Sequence, residues 1–448
     1  MQVKLFSAEQ TNGAQWYKFK MSSWGKMREA LPLDQLRDCL PSPKNNCGRK
    51  EYFDNSGKFA LMFLKHELGV SDEKLIEHIN HNPSLQLFCG MRLGTLELIR
   101  DTGIVSRIRG FIAHQANLGE VQRILIGHWQ GDIEMKHFLK MDATCYESYI
   151  RYPTDVKLLW ECCEWIYAKQ LFPLRKGLRV RLGKEKERFD VQKRRYLAYS
   201  KLKRKAHKKT RKRIRSLLNL LKRGLNALQE LLNVYFKDSL DGGFYRYLKT
   251  IKQVYQQQYY LFHHPGSKVK DRIVSLHKPY IRPIKRGKEN KPTEFGAKVH
   301  MLQVGGINIL EHFNYNAFNE CKRLKISVLK HRATFGKCHQ VSADRIYATN
   351  ENRCFCSENQ IFHSFDPKGR KPGKEIMQLK AALNKERATR LEGSFGNQKN
   401  HYGLQKVRAR NGPNEKAWVF FGVFTANAVF VSKKKDKKAD QCATPLAA

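Results

Sequence analysis

Three acidic residues, Asp142, Asp344 and Glu392, stand where they could do metal-ion chemistry. The first lies in a predicted strand, the second at the end of another strand, and the third on a predicted helix. Carboxylates from three elements can together bind two divalent cations, and oxygen ligands in an incomplete shell suit Mg²⁺. Two such ions activate a water or a 3′-hydroxyl and stabilise the leaving oxygen in an in-line displacement at phosphorus. Spacing alone does not distinguish this arrangement from acids on unrelated strands.

Hydrophobic periodicity predicts the elements that must position these acids. Residues 137–152 alternate between apolar and polar side chains, which predicts a strand with Asp142 on its polar face. Residues 340–344 form a short strand that ends on the second acid. Apolar residues from 376 to 395 recur at helical spacing and predict a helix that carries the third.

Two further strands and a helix lie between these elements. Residues 295–304 and 307–314 are predicted to pair as a hairpin, because Gly305 and Gly306 between them favour a tight turn. Residues 319–331 are predicted to form a helix.

Residues from about 55 to 115 are predicted to form short helices. Gly69 is typical of a helix C-terminus, and Ser71 is typical of the N-cap of the next helix. Two helices joined by so short a turn are compatible with a helix-turn-helix, although this pattern more often indicates an ordinary helical hairpin.

A very basic helical segment is predicted from about 155 to 265. Its most charged stretch lies between 201 and 215. Apolar residues from 214 to 232 then step by four and three residues, as in a coiled-coil seam. That seam would pack either within its own domain or against a second copy of the chain.

The charge balance indicates a polyanionic partner. The 448 residues include 84 Lys and Arg against 41 Asp and Glu, which gives a formal charge of +43. Nucleic acid is the first candidate partner and an anionic membrane surface the second. Hydrophobic residues make up 41% of the chain, which excludes a wholly disordered protein, and the length suggests about three domains.

Several classes of protein are excluded. The first residues have no signal-peptide pattern, and the longest apolar stretch, 417–431, is shorter than the roughly 20 residues of a membrane span. The cysteine count of 11 is odd and spread over a long chain, which indicates a reducing cytoplasm rather than a disulfide scaffold.

The sequence around the three acids resembles the catalytic motifs of bacterial insertion-sequence transposases of the DDE type. Residues 152–155, 275–288, 294–299 and 87–90 also resemble this family, so the resemblance covers roughly residues 50 to 430. The three catalytic motifs are Met141-Asp142-Ala143-Thr144, Ser342-Ala343-Asp344-Arg345-Ile346-Tyr347 and Arg390-Leu391-Glu392-Gly393-Ser394-Phe395-Gly396-Asn397-Gln398-Lys399.

The resemblance implies an α/β fold: an RNase H-like mixed sheet with helices on both faces. Asp142 and Asp344 would lie on adjacent strands and Glu392 on a packed helix, and the three acids would bind two Mg²⁺ (or Mn²⁺) ions. The implied reaction is hydrolysis that frees a 3′-hydroxyl at each transposon end, which then attacks target DNA. The implied partners are the terminal inverted repeats, the target DNA and a second protomer in a homodimer. No membrane is implied, and the location would be the cytoplasm of a bacterium, at the nucleoid.

Basic residues near these motifs are predicted to bind DNA. Lys399 lies two helical turns after Glu392 and matches a lysine that follows the catalytic Glu in many relatives. Relatives often carry an arginine four residues before this Glu, where this chain has Ala388, so Arg387 and Arg390 are alternatives for the phosphate clamp. The predicted DNA-binding residues are Lys399, Arg390, Arg387, Arg345, Arg282, Lys285, Arg286, Lys288, Lys208, Lys209, Arg211, Lys212 and Arg213.

These predictions divide the chain into five parts and give a function. The parts are an N-terminal helical DNA-binding region (1–125), an RNase H-like core in two parts (136–155 and 269–432) separated by a basic helical insertion (156–268), and a disordered basic tail (433–448). The predicted function is that of a Mg²⁺-dependent transposase that cuts insertion-sequence ends and joins them to target DNA. Two alternatives stay open: a non-enzymatic DNA-binding protein, domesticated or inactivated, and an RNase H-like nuclease without strand transfer.

Overall fold

The chain divides into two compact units, Met1–Tyr149 with Ala297–Ala448, and Ile150–Gly296. The computed structural model describes residues 4–5, 13–42, 51–94, 96–235, 241–285, 292–369 and 372–443. The predicted N-terminal region (1–125) is not a separate unit, because its helices share one hydrophobic core with the sheet of the first unit. The predicted insertion (156–268) lies within the second unit, which extends beyond it at both ends.

The N-terminal part of the first unit is helical. The short strands β1 (Lys4–Leu5) and β2 (Met91–Arg92) pair antiparallel. The helices are α1 (Gly13–Met21), α2 (Ser23–Glu29), α3 (Leu33–Arg37), α4 (Asn55–Leu68), α5 (Asp72–His81), α6 (Pro83–Phe88), α7 (Ile104–Gln115) and α8 (Leu118–Trp129).

The predicted boundary between α4 and α5 is confirmed. Gly69 ends α4 in the left-handed conformation (φ +63°), and the Ser71 hydroxyl accepts a hydrogen bond from the N–H of Lys74 at the start of α5. Helix α4 is buried from Asn55 to His66, whereas α5 buries one face through Leu75 and its neighbours. The pair is therefore a helical hairpin whose first helix lies in the core.

A mixed sheet forms the centre of the first unit. Its strands are β3 (Phe138–Ser148), β5 (Thr293–Val304), β6 (Ile307–Asn314), β7 (Gln340–Ser342), β8 (Phe362–His363) and β9 (Lys406–Val407). They lie in the order β6-β5-β3-β7-β8, and β9 pairs with the end of β3. Strands β5 and β6 are antiparallel, whereas β3, β7 and β8 are parallel.

The predicted polar face of β3 is not solvent-facing. Lys140, Thr144 and Tyr146 are all buried, and Asp142 is half-buried. The strand β3 is central, with β5 and β7 on its two sides, and most residues on both of its faces are buried. The alternation of polar residues therefore marks a buried polar face, not a solvated one.

The predicted hairpin of β5 and β6 is confirmed, with Val304 paired to Ile307. Gly305 and Gly306 both adopt positive φ (+55° and +92°), as a two-residue turn of this kind requires. A Cβ on Gly305 would lie 2.5 Å from the carbonyl oxygen of Glu134, so the turn also packs too closely for a side chain.

Helices follow the sheet strands in the second half of the first unit. The predicted helix over 376–395 is interrupted, because one turn of π-helix (Arg387–Glu392) separates two α-helices. The helices are α14 (Leu324–Phe335), α15 (Asn350–Glu358), α16 (Lys374–Glu386), α17 (Gly393–His401) and α18 (Gly412–Ala443), with 3₁₀ turns at Cys321–Arg323 and Arg345–Tyr347.

The long apolar stretch 417–431 forms the buried part of α18. Phe420, Phe421 and Phe424 are almost completely buried there, which is typical of a helix in a protein core. Asn427 exchanges two hydrogen bonds with the backbone of Asn308 on β6 (2.7 and 3.0 Å) and so fixes the helix to the sheet. Within the described ranges, no helix is long and apolar enough to cross a membrane.

The prediction of a disordered tail from 433 is wrong as far as Ala443, because α18 continues through these residues. Charged side chains of this last part form ion pairs within the first unit. Lys434 lies 2.8 Å from Glu134, and Asp436 lies 2.9 Å from Lys26. Residues 444–448 lie outside the described residues.

The second unit is mainly helical. Its elements are α9 (Asp155–Glu164), a π-helix (Trp165–Leu171), α10 (Phe172–Gly177), α11 (Gly183–Ser200), α12 (His207–Tyr235), α13 (Gly242–His263) and β4 (Pro283–Lys285). Strand β4 pairs antiparallel with Thr293–Phe295, at the start of β5.

The leucine seam of α12 packs inside its own unit. Leu221 and Leu228 are fully buried in a cluster that includes Cys162, Cys163 and Ile166 of the preceding helices. The structure thus favours the first of the two interpretations of the seam, packing within one domain, and this face is not available to a second copy of the chain.

Acid is expected to destabilise the first unit through His66. Burial lowers the pKa of His66 to about 3, and its Nδ1 lies 2.9 Å from the carbonyl oxygen of Tyr402. The unfolded chain takes up this proton below pH 6.5, whereas the folded chain resists it, so the free energy of unfolding falls as the pH falls from about 6.5 towards 3. The expected loss is about 2 kcal/mol by pH 5, at about 1.4 kcal/mol per unit.

Urea unfolding at pH 7 and pH 5 tests this, with His66→Asn as the comparison. Asparagine can still donate to the carbonyl oxygen but does not titrate. The variant should therefore lose about 2 kcal/mol less than the wild type between the two pH values. Equal losses in both proteins would show that His66 is not the responsible group.

Candidate functional site

One face of β3 carries four polar side chains in succession. Because alternate residues of a strand point to the same face, Lys140, Asp142, Thr144 and Tyr146 lie in a row. The helical segment from Glu386 to Lys399 covers this row. Each of the four side chains contacts a polar or charged side chain of that segment.

The strand pairing brings Asp142 and Asp344 to the same level of the sheet. Strands β3 and β7 are parallel, and their register pairs Lys140 with Ser342. Each acid follows two residues after this pair, so the two carboxylates are neighbours although 202 positions, 344 − 142, separate them in the chain. Asp344 lies just after β7, where its Oδ1 accepts a hydrogen bond of 2.7 Å from the N–H of Arg345.

The guanidinium of Arg387 joins all three predicted acids. Its Nη1 lies 2.8 Å from Asp142 Oδ2 and 2.9 Å from Glu392 Oε1, and its Nη2 lies 3.9 Å from Asp344 Oδ1. The structure thus brings together Asp142, Asp344 and Glu392, as the sequence predicts, around a cation supplied by the chain itself.

The π-helix explains why Arg387 reaches this position. Residues five apart in an α-helix differ by about 140° around the axis, since 3.6 residues make one turn. A π-helix instead joins residues i and i+5 by its hydrogen bonds, so Arg387 and Glu392 are one turn apart. The wider turn therefore brings both side chains to the same side of the helical segment.

Burial controls the ionisation of Asp142. Burial raises the pKa of Asp142 to about 6, while Arg387 and the N–H of Ala143 act to lower it. The nearby acids Glu320 and Asp344 contribute to this increase less than burial does. At pH 7 the carboxylate is therefore mostly ionised.

Lys399 lies on the same side of β3 as Asp142. Its Nζ donates a hydrogen bond of 3.0 Å to the hydroxyl of Thr144, and the next residue along the row, Tyr146, donates to Gln398. At the other end of the row, Lys140 Nζ lies 3.5 Å from Glu386. The basic residue predicted from its spacing to Glu392 thus lies next to the strand that carries Asp142.

Glu320 is an acid of this site that the sequence analysis did not identify. Its Oε1 lies 2.6 Å from Lys298 Nζ on β5, and its charge contributes to the raised pKa of Asp142. Nothing in its local sequence marks it, because it lies within a stretch predicted as an ordinary helix. Only the packing of the sheet places it near the other acids.

A buried polar network supports the turn that carries Asp344. Tyr347 lies three residues after Asp344, and its hydroxyl oxygen is 2.8 Å from Nε2 of His300. The other ring nitrogen of His300, Nδ1, lies 3.0 Å from Glu311 Oε2. Arg323 also donates to Glu311. Burial acts to raise the pKa of Glu311, but His300 and Arg323 outweigh it and hold this pKa at about 2.

The other predicted DNA-binding residues of the first unit are exposed. Arg390 lies 3.1 Å from Glu386 and not beside the three acids. Arg345 is exposed immediately after Asp344. Of the two arginines that flank Ala388, Arg387 and Arg390, it is Arg387 that contacts the three acids.

The second unit carries the remaining predicted DNA-binding residues. Lys208, Lys209, Arg211, Lys212 and Lys285 are exposed, and Arg213 is half-buried with a hydrogen bond to Gln192. Arg282 donates to the carbonyl oxygen of Ile281 and lies 3.8 Å from Asp271, so it holds its own loop. Arg286 and Lys288 lie outside the described residues.

The donor chemistry of the three acids suits Mg²⁺, because carboxylate oxygens are its preferred protein ligands. The arrangement itself binds a guanidinium. Among the described residues, no group of three or more His, Cys, Asp and Glu side chains has the geometry to hold a metal ion.

A family model described as a transposase domain (DUF772) matches residues 15–109. The matched residues include most of α1, all of α2 to α6, β2 and part of α7, and they do not include the three acids. No curated protein and no solved structure matched the chain. The match indicates a function in DNA transposition, and with it DNA binding.

Removing the hydroxyl of Tyr347 should destabilise the first unit. Tyr347→Phe leaves the Nε2 of fully buried His300 without its partner, and an unsatisfied buried polar group costs about 1–3 kcal/mol. Chemical denaturation measures this change. The control is Tyr17→Phe, at an exposed position, which should change stability by less than about 0.5 kcal/mol. Equal stability of Tyr347→Phe and wild type would exclude the hydroxyl as an anchor.

Proposed function

We propose that the chain is a DDE transposase that cuts the ends of an insertion sequence and joins the freed 3′-hydroxyl to target DNA. The observation that carries this proposal is the meeting of Asp142, Asp344 and Glu392 around one cation. The three acids come from distant parts of the chain, and each lies within a motif that resembles the same family. The transposase domain at 15–109 is independent support, because it does not overlap these motifs.

The strand order supports an RNase H-like core. Strand β3, the first strand of the mixed sheet in chain order, lies in the middle of that sheet. The β5–β6 hairpin lies on one side of it and the parallel strands β7 and β8 on the other. Because β3 and β7 are adjacent and parallel, Asp142 on β3 and Asp344, two residues after β7, lie side by side, which supports the arrangement that the resemblance implies. Glu392 follows on a helical segment packed over β3.

Asp142, Asp344 and Glu392 would hold two Mg²⁺ or Mn²⁺ ions. When bound, such ions supply activation of the attacking oxygen and stabilisation of the leaving oxygen at phosphorus. The protein orients these carboxylates through the register of β3 and β7 and through the cap at the N–H of Arg345. The buried network beneath Tyr347 holds that turn in place.

Each unit, taken by itself, carries basic side chains that would bind DNA. Lys399 lies beside Thr144, two residues from Asp142 on the same face of β3, where a phosphate of the cleaved strand would be close to both. The exposed basic residues at the start of α12 would contact the phosphates of the DNA backbone, and such contacts carry no sequence information.

Loss of any of the three acids should abolish cleavage. Asp142→Ala, Asp344→Ala and Glu392→Ala are each expected to reduce Mg²⁺-dependent cutting of end-sequence duplexes to background, because each removes a ligand of the ions. The duplexes are built from short inverted repeats in the DNA flanking the gene. A gel assay measures cleavage, and binding of the same duplexes should persist.

The matched control is Glu358→Ala, an exposed acid on α15 that should cut at the wild-type rate. Full cleavage by Asp142→Ala would contradict the proposed transposase function. Products joined at a supplied 3′-hydroxyl end distinguish strand transfer from plain hydrolysis, and binding without cleavage by the wild type would indicate a DNA-binding protein.

Lys399→Ala should weaken binding at the ends without unfolding the protein. The loss of one phosphate contact is expected to reduce the slope of log affinity against log salt by about 0.9. Binding measured at several salt concentrations tests this, with Lys374→Ala, an exposed lysine of α16, as the control. An unchanged slope together with unchanged cleavage would contradict the phosphate role.

A further inference from the structure

Arg387 gives the three acids a shared counter-ion before any metal binds. Two of its nitrogen–oxygen distances are below 3 Å, to Asp142 and Glu392, and the third, to Asp344, is 3.9 Å. Three carboxylates at such close quarters repel one another unless a cation lies between them. The guanidinium therefore keeps the site assembled.

The contacts of Arg387 leave room for a competitor. Asp344 and Glu392 are 58% and 50% exposed, so ions from solvent can reach their oxygens. The Nε of Arg387 is buried and has no hydrogen-bond partner among the described residues. A buried donor without a partner is costly, so this position does not use the full bonding capacity of the side chain.

We propose that Arg387 is a positioning residue that competes with divalent cations for Asp142, Asp344 and Glu392. The inference rests on the proposed function. Binding of the ions requires the guanidinium to move away from the carboxylates, because a divalent cation and a guanidinium so close together repel each other. The displaced guanidinium offers its planar set of donors to a DNA phosphate, which it can bind through two hydrogen bonds.

This competition makes the protein bind metal weakly in the absence of DNA and tightly once a phosphate takes Arg387 away. The metal ions and a DNA phosphate each favour the state in which Arg387 has left the acids. Each therefore raises the affinity of the protein for the other by the same factor. Metal binding would thus be tied to the presence of the substrate strand.

Calorimetric titration of the DNA-free, full-length protein with Mn²⁺ tests the proposal. Arg387→Gln should bind Mn²⁺ at least about tenfold more tightly than the wild type, as expected for the removal of a close charge pair. Arg387→Lys, whose single ammonium contacts fewer carboxylates, should also bind more tightly, by a smaller factor. Arg410→Gln is the matched control, since Arg410 is exposed just before α18 and is not a predicted site residue, and it should bind as the wild type does.

Thermal melting gives a second readout that a merely structural arginine would not produce. In EDTA, Arg387→Gln should melt below the wild type, because the carboxylates have lost their counter-ion, and Mn²⁺ should raise its melting temperature more than that of the wild type. Adding Asp142→Asn to Arg387→Gln should remove the tight binding.

Equal or weaker Mn²⁺ affinity in both Arg387 variants would overturn the proposal. Arg387→Lys keeps the test decisive if Arg387→Gln does not fold. Because the titrations contain no DNA, such a result would leave the proposed cleavage activity standing. Conversely, full cleavage by Asp142→Ala would reject the proposed function while the competition could still be measured.

Discussion

The arrangement of the candidate site depends on one packing constraint, the cover that residues 386–399 provide for a polar face of β3. Lys140, Asp142, Thr144 and Tyr146 would be costly to bury alone, because buried polar groups require partners. The helical segment supplies those partners, from Glu386 and Arg387 at one end to Gln398 and Lys399 at the other. Because every pair must be satisfied at once, the segment has little freedom to slide along the strand. The π-helix is the local adjustment that brings Arg387 to Asp142 and Glu392 together.

The same cover determines the electrostatics of the acids. In a chain with a net charge of +43, carboxylates are scarce, yet Glu320 and Asp344 lie close enough to raise the pKa of Asp142. Basic side chains compensate them pair by pair, with Lys298 beside Glu320 and Arg387 among the three predicted acids. A deeper layer repeats the pattern, because Glu311 is held ionised by His300 and Arg323. The site therefore consists of negative groups whose counter-ions are basic side chains of the same chain. In the proposed function, divalent cations would take the place of Arg387 among the three acids.

The second unit has a different balance of charge and core. Its leucine seam packs against the helices of the same unit, so the hydrophobic surface that resembles a coiled coil is used within the unit. The basic residues at the start of α12 remain exposed, with few acids near them in the sequence. Exposed positive charge of this kind would contribute non-specific, salt-dependent affinity for a polyanion, whereas sequence recognition requires contacts to base edges.

The sequence by itself predicted most of the elements around the candidate site and the residues that could carry chemistry there. Periodicity located β3, the β5–β6 hairpin and the helices α4 and α5, because these signals are local, and the motifs identified the three acids and Lys399. Local pattern could not determine which faces are buried, since that depends on neighbouring strands, and it did not show that the polar row of β3 lies largely buried. Nor could it locate the π-helix, the helical residues 433–443 or Glu320. Only the tertiary structure decided that Arg387, not Arg390, lies among the acids, because that choice depends on packing between segments more than two hundred residues apart.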